Sequence, residues 1–159
     1  IVLKFWGKIS DTVKFILSAF FLTGTFLILF CSVLYTPTAG PGLVSPWWVI
    51  SAYFVLALSE ICISPIGLAL ATKFAPEGRS GLFIGAWLVT VGVAGELAGD
   101  ISQHIGLPDV GSSLTVIKSS YIGVFSKFLS LSVVLLVVTI LLTWLIRMIS
   151  KRQPGSPTI

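Results

Sequence analysis

Four long apolar stretches, separated by short clusters of Pro, Gly and charged residues, divide the chain. A helix rises about 1.5 Å per residue and needs about 20 apolar residues to cross roughly 30 Å of hydrocarbon. The pattern therefore predicts an all-α integral membrane fold with transmembrane helices over 15–35, 47–72, 82–99 and 121–147, the last with its apolar centre from Phe128 to Ile146. The predicted connections are an N-terminal segment 1–14, loops 36–46, 73–81 and 100–120, and a tail 148–159. Thr36-Pro37-Thr38-Ala39-Gly40-Pro41-Gly42 reads as a loop, and Ser45-Pro46-Trp47-Trp48 opens the second span with aromatics at interface depth.

Composition agrees with this reading. A hydrophobic share of 55%, a charged share of 10% and a mean hydropathy of +1.04 exclude an ordinary soluble domain. The net charge of +4 forms no stripe of the kind that binds nucleic acid. The basic residues flank the spans instead. Lys4, Lys8, Lys14, Lys73, Arg79, Arg147, Lys151 and Arg152 fall on one side, and only Lys118 and Lys127 on the other. Short basic loops resist translocation, so both ends are expected in the cytoplasm of a multi-pass cell-membrane protein. The chain starts without Met and without a secretory signal pattern, as a truncated start would. Cys31 and Cys62 lie in apolar runs and read as small hydrophobes.

The informative residues are polar ones within the spans. Glu60 sits near the middle of the second span, where a carboxylate costs about 2.5–3.5 kcal/mol on insertion scales. Its helical neighbours Tyr53, Ala57, Ser64 and Gly67, with Ala71 a turn further, make one small, polar face that should meet protein or water rather than lipid. Pro65 removes a backbone donor and should kink or loosen the helix beside Glu60. In the third span Gly81, Gly85, Gly92, Gly95 and Gly99 share a narrow stripe that predicts close helix packing, with Trp87 pointing elsewhere, toward lipid or a cavity. Glu96 reads as an end-of-span residue, His104 as a surface residue, and Lys118 and Lys127 as interface anchors. No metal spacing, phosphate-binding loop or activated nucleophile points to an enzyme.

Ser45-Pro46-Trp47-Trp48, Glu60-Ile61-Cys62-Ile63-Ser64-Pro65-Ile66-Gly67-Leu68, Lys73-Phe74-Ala75-Pro76 and Gly85-Ala86-Trp87-Leu88 up to Leu97-Ala98-Gly99 resemble, in order and spacing, the tenth and eleventh helices of the proton-dependent oligopeptide transporter family of the major facilitator superfamily. The resemblance implies that the spans are helices nine to twelve of a twelve-helix carrier with a midplane site between two halves. It implies a proton-coupled di- and tripeptide symporter working by alternating access, with protons as coupling ion and no cofactor. Its partners would be small peptides, the lipid bilayer and the missing N-terminal helices. It further implies that Glu60 receives the peptide's amino terminus, that Ser64 lies in the same cavity, and that Trp87 shapes the side-chain pocket; Tyr53, on the Glu60 face, is a further candidate substrate contact. The short 36–46 loop resembles bacterial members.

Two positions depart from that family's pattern: Ser59 stands where Gly is usual, and Ala94-Gly95-Glu96 where Gly-Asn and a bulky residue are common. They leave open a carrier of the same fold for another solute, such as nitrate or an amino acid. A stand-alone, non-transporting membrane subunit is the third reading.

Overall fold

A computed structural model of the chain describes residues 10–37, 44–104 and 113–151. They form four helices, α1 (Asp11–Tyr35), α2 (Pro46–Lys73), α3 (Ser80–His104) and α4 (Leu114–Lys151). All four are long and apolar enough to cross a membrane. Lys4, Lys8, Arg152 and parts of the expected 36–46 and 100–120 loops and of the tail lie outside the described residues, as do the side chains of His104, Arg147 and Lys151.

Of the loop expected over 100–120, the described residues 100–104 and 114–120 are helical. α3 continues to His104, and α4 begins at Leu114 rather than 121. Serines along α4 are satisfied by the carbonyls of α4 itself. Ser119 donates to the Val116 carbonyl, Ser126 to Gly123, Ser130 to Lys127 and Ser132 to Leu129. A hydroxyl bonded to its own helix carries little unsatisfied polarity, so it does not end the helix. The 38 residues of α4 measure about 57 Å, nearly twice the hydrocarbon thickness.

α2 opens with Pro46, whose missing N–H costs nothing in a first turn, and runs uninterrupted through Pro65. It stops at Phe74, and a turn closed by the Arg79 amide on the Pro76 carbonyl (3.0 Å) sends the chain back into α3. Gly78 takes the third position of that turn with φ +76°, a conformation that favours glycine.

α1 is the central element, packing antiparallel against α2 on one side and α4 on the other. Against α2, Ser18 meets Ser59, Gly24 meets Val55, and Tyr35 stacks on Trp48 at 6.3 Å. Against α4, Phe26 stacks on Phe128 at 5.4 Å and the Thr23 hydroxyl reaches the Ser132 carbonyl at 3.2 Å. Where α1 ends, the Lys118 ammonium donates to the carbonyls of Leu34 (3.0 Å) and Thr36 (2.8 Å). Carbonyls in the last turn lack intrahelical donors and carry partial negative charge, so Lys118 is a cap on a neighbouring helix rather than only an interface anchor.

Among the described residues α3 packs against α2 and not against α1 or α4. Phe83, Ile84, Gly85 and Trp87 are half-buried, and every residue from Leu88 to Ile101 is exposed. The helix is held at the turn and leaves its neighbour beyond it.

Candidate functional site

Glu60 lies at the midpoint of α2, with 14 residues before it from Pro46 and 13 after it to Lys73. Ser59 fixes the helix rotation. It is 5% exposed and donates to the Ser18 carbonyl of α1 at 2.9 Å, with the two hydroxyls 3.3 Å apart. Successive helical residues are about 100° apart, so Glu60 is turned well away from α1. Glu60 and Ser64 are exposed, and Tyr53 is 68% exposed, on adjacent turns of one face. Among the described residues Glu60 makes no hydrogen bond or ion pair. The structure thus brings Tyr53, Glu60 and Ser64 together on a face that α1, α3 and α4 leave uncovered. They line neither the groove between α1 and α4 that holds Lys118 nor the one between α3 and α4 that holds Lys127.

Pro65, one turn beyond Ile61, is exposed near the same face, and its ring leaves the Ile61 carbonyl without its helical donor. Gly67 belongs to the Glu60 face too, but it is buried. A Cβ built there would overlap the six-membered ring of Trp87. The indole therefore lies on the α2 backbone, and the expectation that Trp87 points to lipid or a cavity is corrected. Trp87 is a contact of α3 with α2, at Gly67, two turns from Glu60.

The glycines of the expected packing stripe meet none of this chain's other described helices. A Cβ at Gly81, Gly85, Gly92, Gly95 or Gly99 would meet nothing within 4 Å. Trp87 points roughly opposite the stripe, so seating its ring on α2 turns the glycines away from the other helices. Glu96 shares the outward side and is exposed. It lies about 8 Å from the centre of the apolar span Ser80–Ile101, inside hydrocarbon depth rather than at the end of the span.

Periodicity within single helices missed the residues that act between helices: Gly67 under Trp87, Ser59 with Ser18, and Lys118 on the end of α1. The usable signal for Gly67 was a lone glycine on the carboxylate face. Among the described residues no three His, Cys, Asp or Glu side chains cluster as a metal site. A carboxylate on a face that also carries a phenol and a hydroxyl can accept charge-assisted hydrogen bonds from a cationic amine.

The fold and this face define a multi-pass, all-helical membrane protein with an ionisable group at mid-helix on an open side. Residues 3–117 match the model of the POT family, and the chain belongs to that family of transporters of the major facilitator type. It is 30% identical over 155 residues to a dipeptide and tripeptide permease A of Chromobacterium violaceum, an alignment covering 97% of the chain and 31% of the relative. It is 34% identical over 116 residues to a dipeptide and tripeptide permease B of Salmonella typhimurium, covering 72% of the chain and 23% of the relative. Over 96 residues it is 30% identical to a peptide transporter, YePEPT, of Yersinia enterocolitica, covering 60% of the chain and 19% of the relative. The chain therefore spans less than a third of these relatives' length.

Proposed function

We propose that the chain is the C-terminal part of a proton-coupled di- and tripeptide symporter working by alternating access, and that Glu60 receives the peptide's amino terminus. The observation that carries this reading is the placement of Glu60. It is an intramembrane carboxylate at the midpoint of α2 whose face, with Tyr53 and Ser64, is left open by the chain's other helices. Such a group is too costly to leave against lipid, so it must meet water, substrate or the remaining helices of the transporter. The relatives named as dipeptide and tripeptide permeases support the substrate class.

In this reading the substrate's ammonium, or a proton, neutralises Glu60 as it binds, so occupancy and loss of charge coincide. Trp87, anchored on Gly67, sets the distance between α2 and α3 and so one wall of the side-chain pocket. Both ends of the chain lie in the cytoplasm and the protein sits in the inner or plasma membrane. A carrier of the same fold for a different solute is the second reading, favoured by Glu96, an additional carboxylate at hydrocarbon depth.

Replacing Glu60 by Gln in the full-length transporter keeps size and polarity and removes the charge. A hydrogen bond to a charged group contributes about 1.5–3 kcal/mol, so apparent affinity for a labelled dipeptide should fall by roughly tenfold to a hundredfold. Unchanged uptake and affinity would refute the role. Failure of a whole dipeptide panel to compete with uptake of another solute would favour the second reading.

A further inference from the structure

We propose that Ala94, with Ala98 a turn beyond it, is the wall of the substrate cleft that limits the side chain of a peptide's first residue. The inference rests on the reading that Glu60 receives the peptide's amino terminus. The Trp87 ring on the Gly67 backbone fixes how α2 and α3 face each other. α2 enters the turn at Phe74 and α3 leaves it at Ser80, so the two helices run in opposite directions from this contact. Seven helical residues advance about 10.5 Å and return to within about 20° of the same direction. Glu60 is seven residues before Gly67 and Ala94 seven after Trp87, so both point into the space between the helices, two turns from the contact. Ala98 is eleven residues after Trp87, again within about 20° of its direction.

The space is a wedge. Its closed end is the contact of Trp87 with Gly67, and beyond it Glu60, Ser64, Val91, Ala94 and Ala98 are all exposed, so the helices have parted at their level. α3 puts no charge on this wall, since Glu96 stands about 180° and Asp100 about 140° from the direction of Trp87. It puts no free hydroxyl there either, because Thr90 donates to the Ala86 carbonyl at 2.9 Å. The first residue's side chain is carried by the same carbon as the ammonium, whereas the second residue's Cα is about 3.8 Å further on. With the ammonium on Glu60, the first side chain is therefore the part of the substrate nearest the apolar α3 wall. Two alanines leave room for it, and a larger residue would fill that room.

The test measures competition by two dipeptide series against uptake of a labelled peptide in the full-length transporter. One series varies the first residue (glycyl-alanine, leucyl-alanine, phenylalanyl-alanine) and the other the second (alanyl-glycine, alanyl-leucine, alanyl-phenylalanine). One methylene in an apolar pocket changes selectivity by about 10- to 200-fold, so Ala94→Leu should lower the affinity of phenylalanyl-alanine relative to glycyl-alanine by at least about tenfold. The ratio of alanyl-phenylalanine to alanyl-glycine should stay the same. An unmoved first ratio, or equal movement of both, would overturn the proposal. Where Ala94→Leu does not fold, Ala94→Cys in a cysteine-free background serves instead. A methanethiosulfonate reagent should label it, and phenylalanyl-alanine should block the labelling more than glycyl-alanine at equal site occupancy. Equal block by both peptides would overturn the proposal, and so would absence of label, which would mean that protein covers the wall. Glu60→Gln in the same assay separates two kinds of failure. If it weakens every peptide while the Ala94 readouts stay unmoved, the wall is refuted and the amino-terminal site stands. If it weakens none, the reading of Glu60 fails and the wall falls with it.

Discussion

α1 and α3 are both 25 residues long and both carry polar groups at hydrocarbon depth, but the two helices dispose of them in opposite ways. In α1, Ser18, Thr25 and Ser32 are buried against neighbouring helices, and each bonds either to its own helix or to α2. Thr23 bridges to α4. In α3 the polar groups stay outside: Thr90 and Glu96 are exposed, and only the first two turns touch another helix. In a medium without water a polar group is satisfied by protein or is expensive. Hydroxyls satisfied inside the chain are therefore part of its scaffold, while Glu60 and Glu96 are left for substrate, water or the rest of the transporter.

The sharpest way to break this comparison is to disturb the Gly67–Trp87 contact, where α3 lies directly on the backbone of α2. Gly67→Leu places a branched side chain where the Trp87 ring lies, and overpacking of this kind costs about 1–3 kcal/mol or forces the ring out. The full-length variant should lose most of its thermal stability margin or, if it survives, most of its uptake. Trp87→Ala alone should be milder, and the double variant should recover part of the stability that Gly67→Leu loses. Strict additivity of the two changes in a double-mutant cycle would show that the ring and Gly67 are not coupled.

A smaller effect is expected at the other end of the scaffold. Lys118→Met keeps the stem and deletes the ammonium that holds the Leu34 and Thr36 carbonyls, a loss of about 1–3 kcal/mol from bonds to a charged donor. Thermal unfolding of the full-length protein should show it, with dipeptide affinity unchanged, since Lys118 is far from Glu60. A drop in affinity at unchanged stability would tie this end of α1 to the substrate site.

Lys118 also shows where sequence reading stops. Hydropathy located all four helices because a span is a property of one continuous segment. Glu60 was legible for a related reason: a charge amid twenty apolar residues is conspicuous wherever the chain folds. Lys118 and its serines looked like a loop because the cation's acceptors sit more than 80 residues away, beyond the reach of local periodicity. The glycines of α3 show the same limit. Their spacing shows that they share a side, but which side meets α2 was decided by Trp87 and a single glycine on the other helix. The carboxylate was readable, and its surroundings were not.

The smallest effect is expected at Ser59, and it tests whether the seam between α1 and α2 is scaffold alone. Ser59→Ala removes the bond to the Ser18 carbonyl without altering helix propensity unfavourably. Interhelical hydrogen bonds in membranes average about 0.6 kcal/mol with a maximum near 1.7, because the freed groups find partners nearby. Here the Ser18 hydroxyl can turn back onto its own helix, so the loss should sit at the low end, a shift of no more than about 2 °C in unfolding midpoint. Ser59→Gly should shift the midpoint further, because glycine adds about 1 kcal/mol of helix cost to the lost bond. Uptake should be unaffected in both. If Ser59→Ala instead leaves stability intact and weakens dipeptide uptake severalfold, the rotation that this bond imposes on α2, and through it the aim of Glu60, is what the serine supplies, and scaffold and site are not separable along this helix.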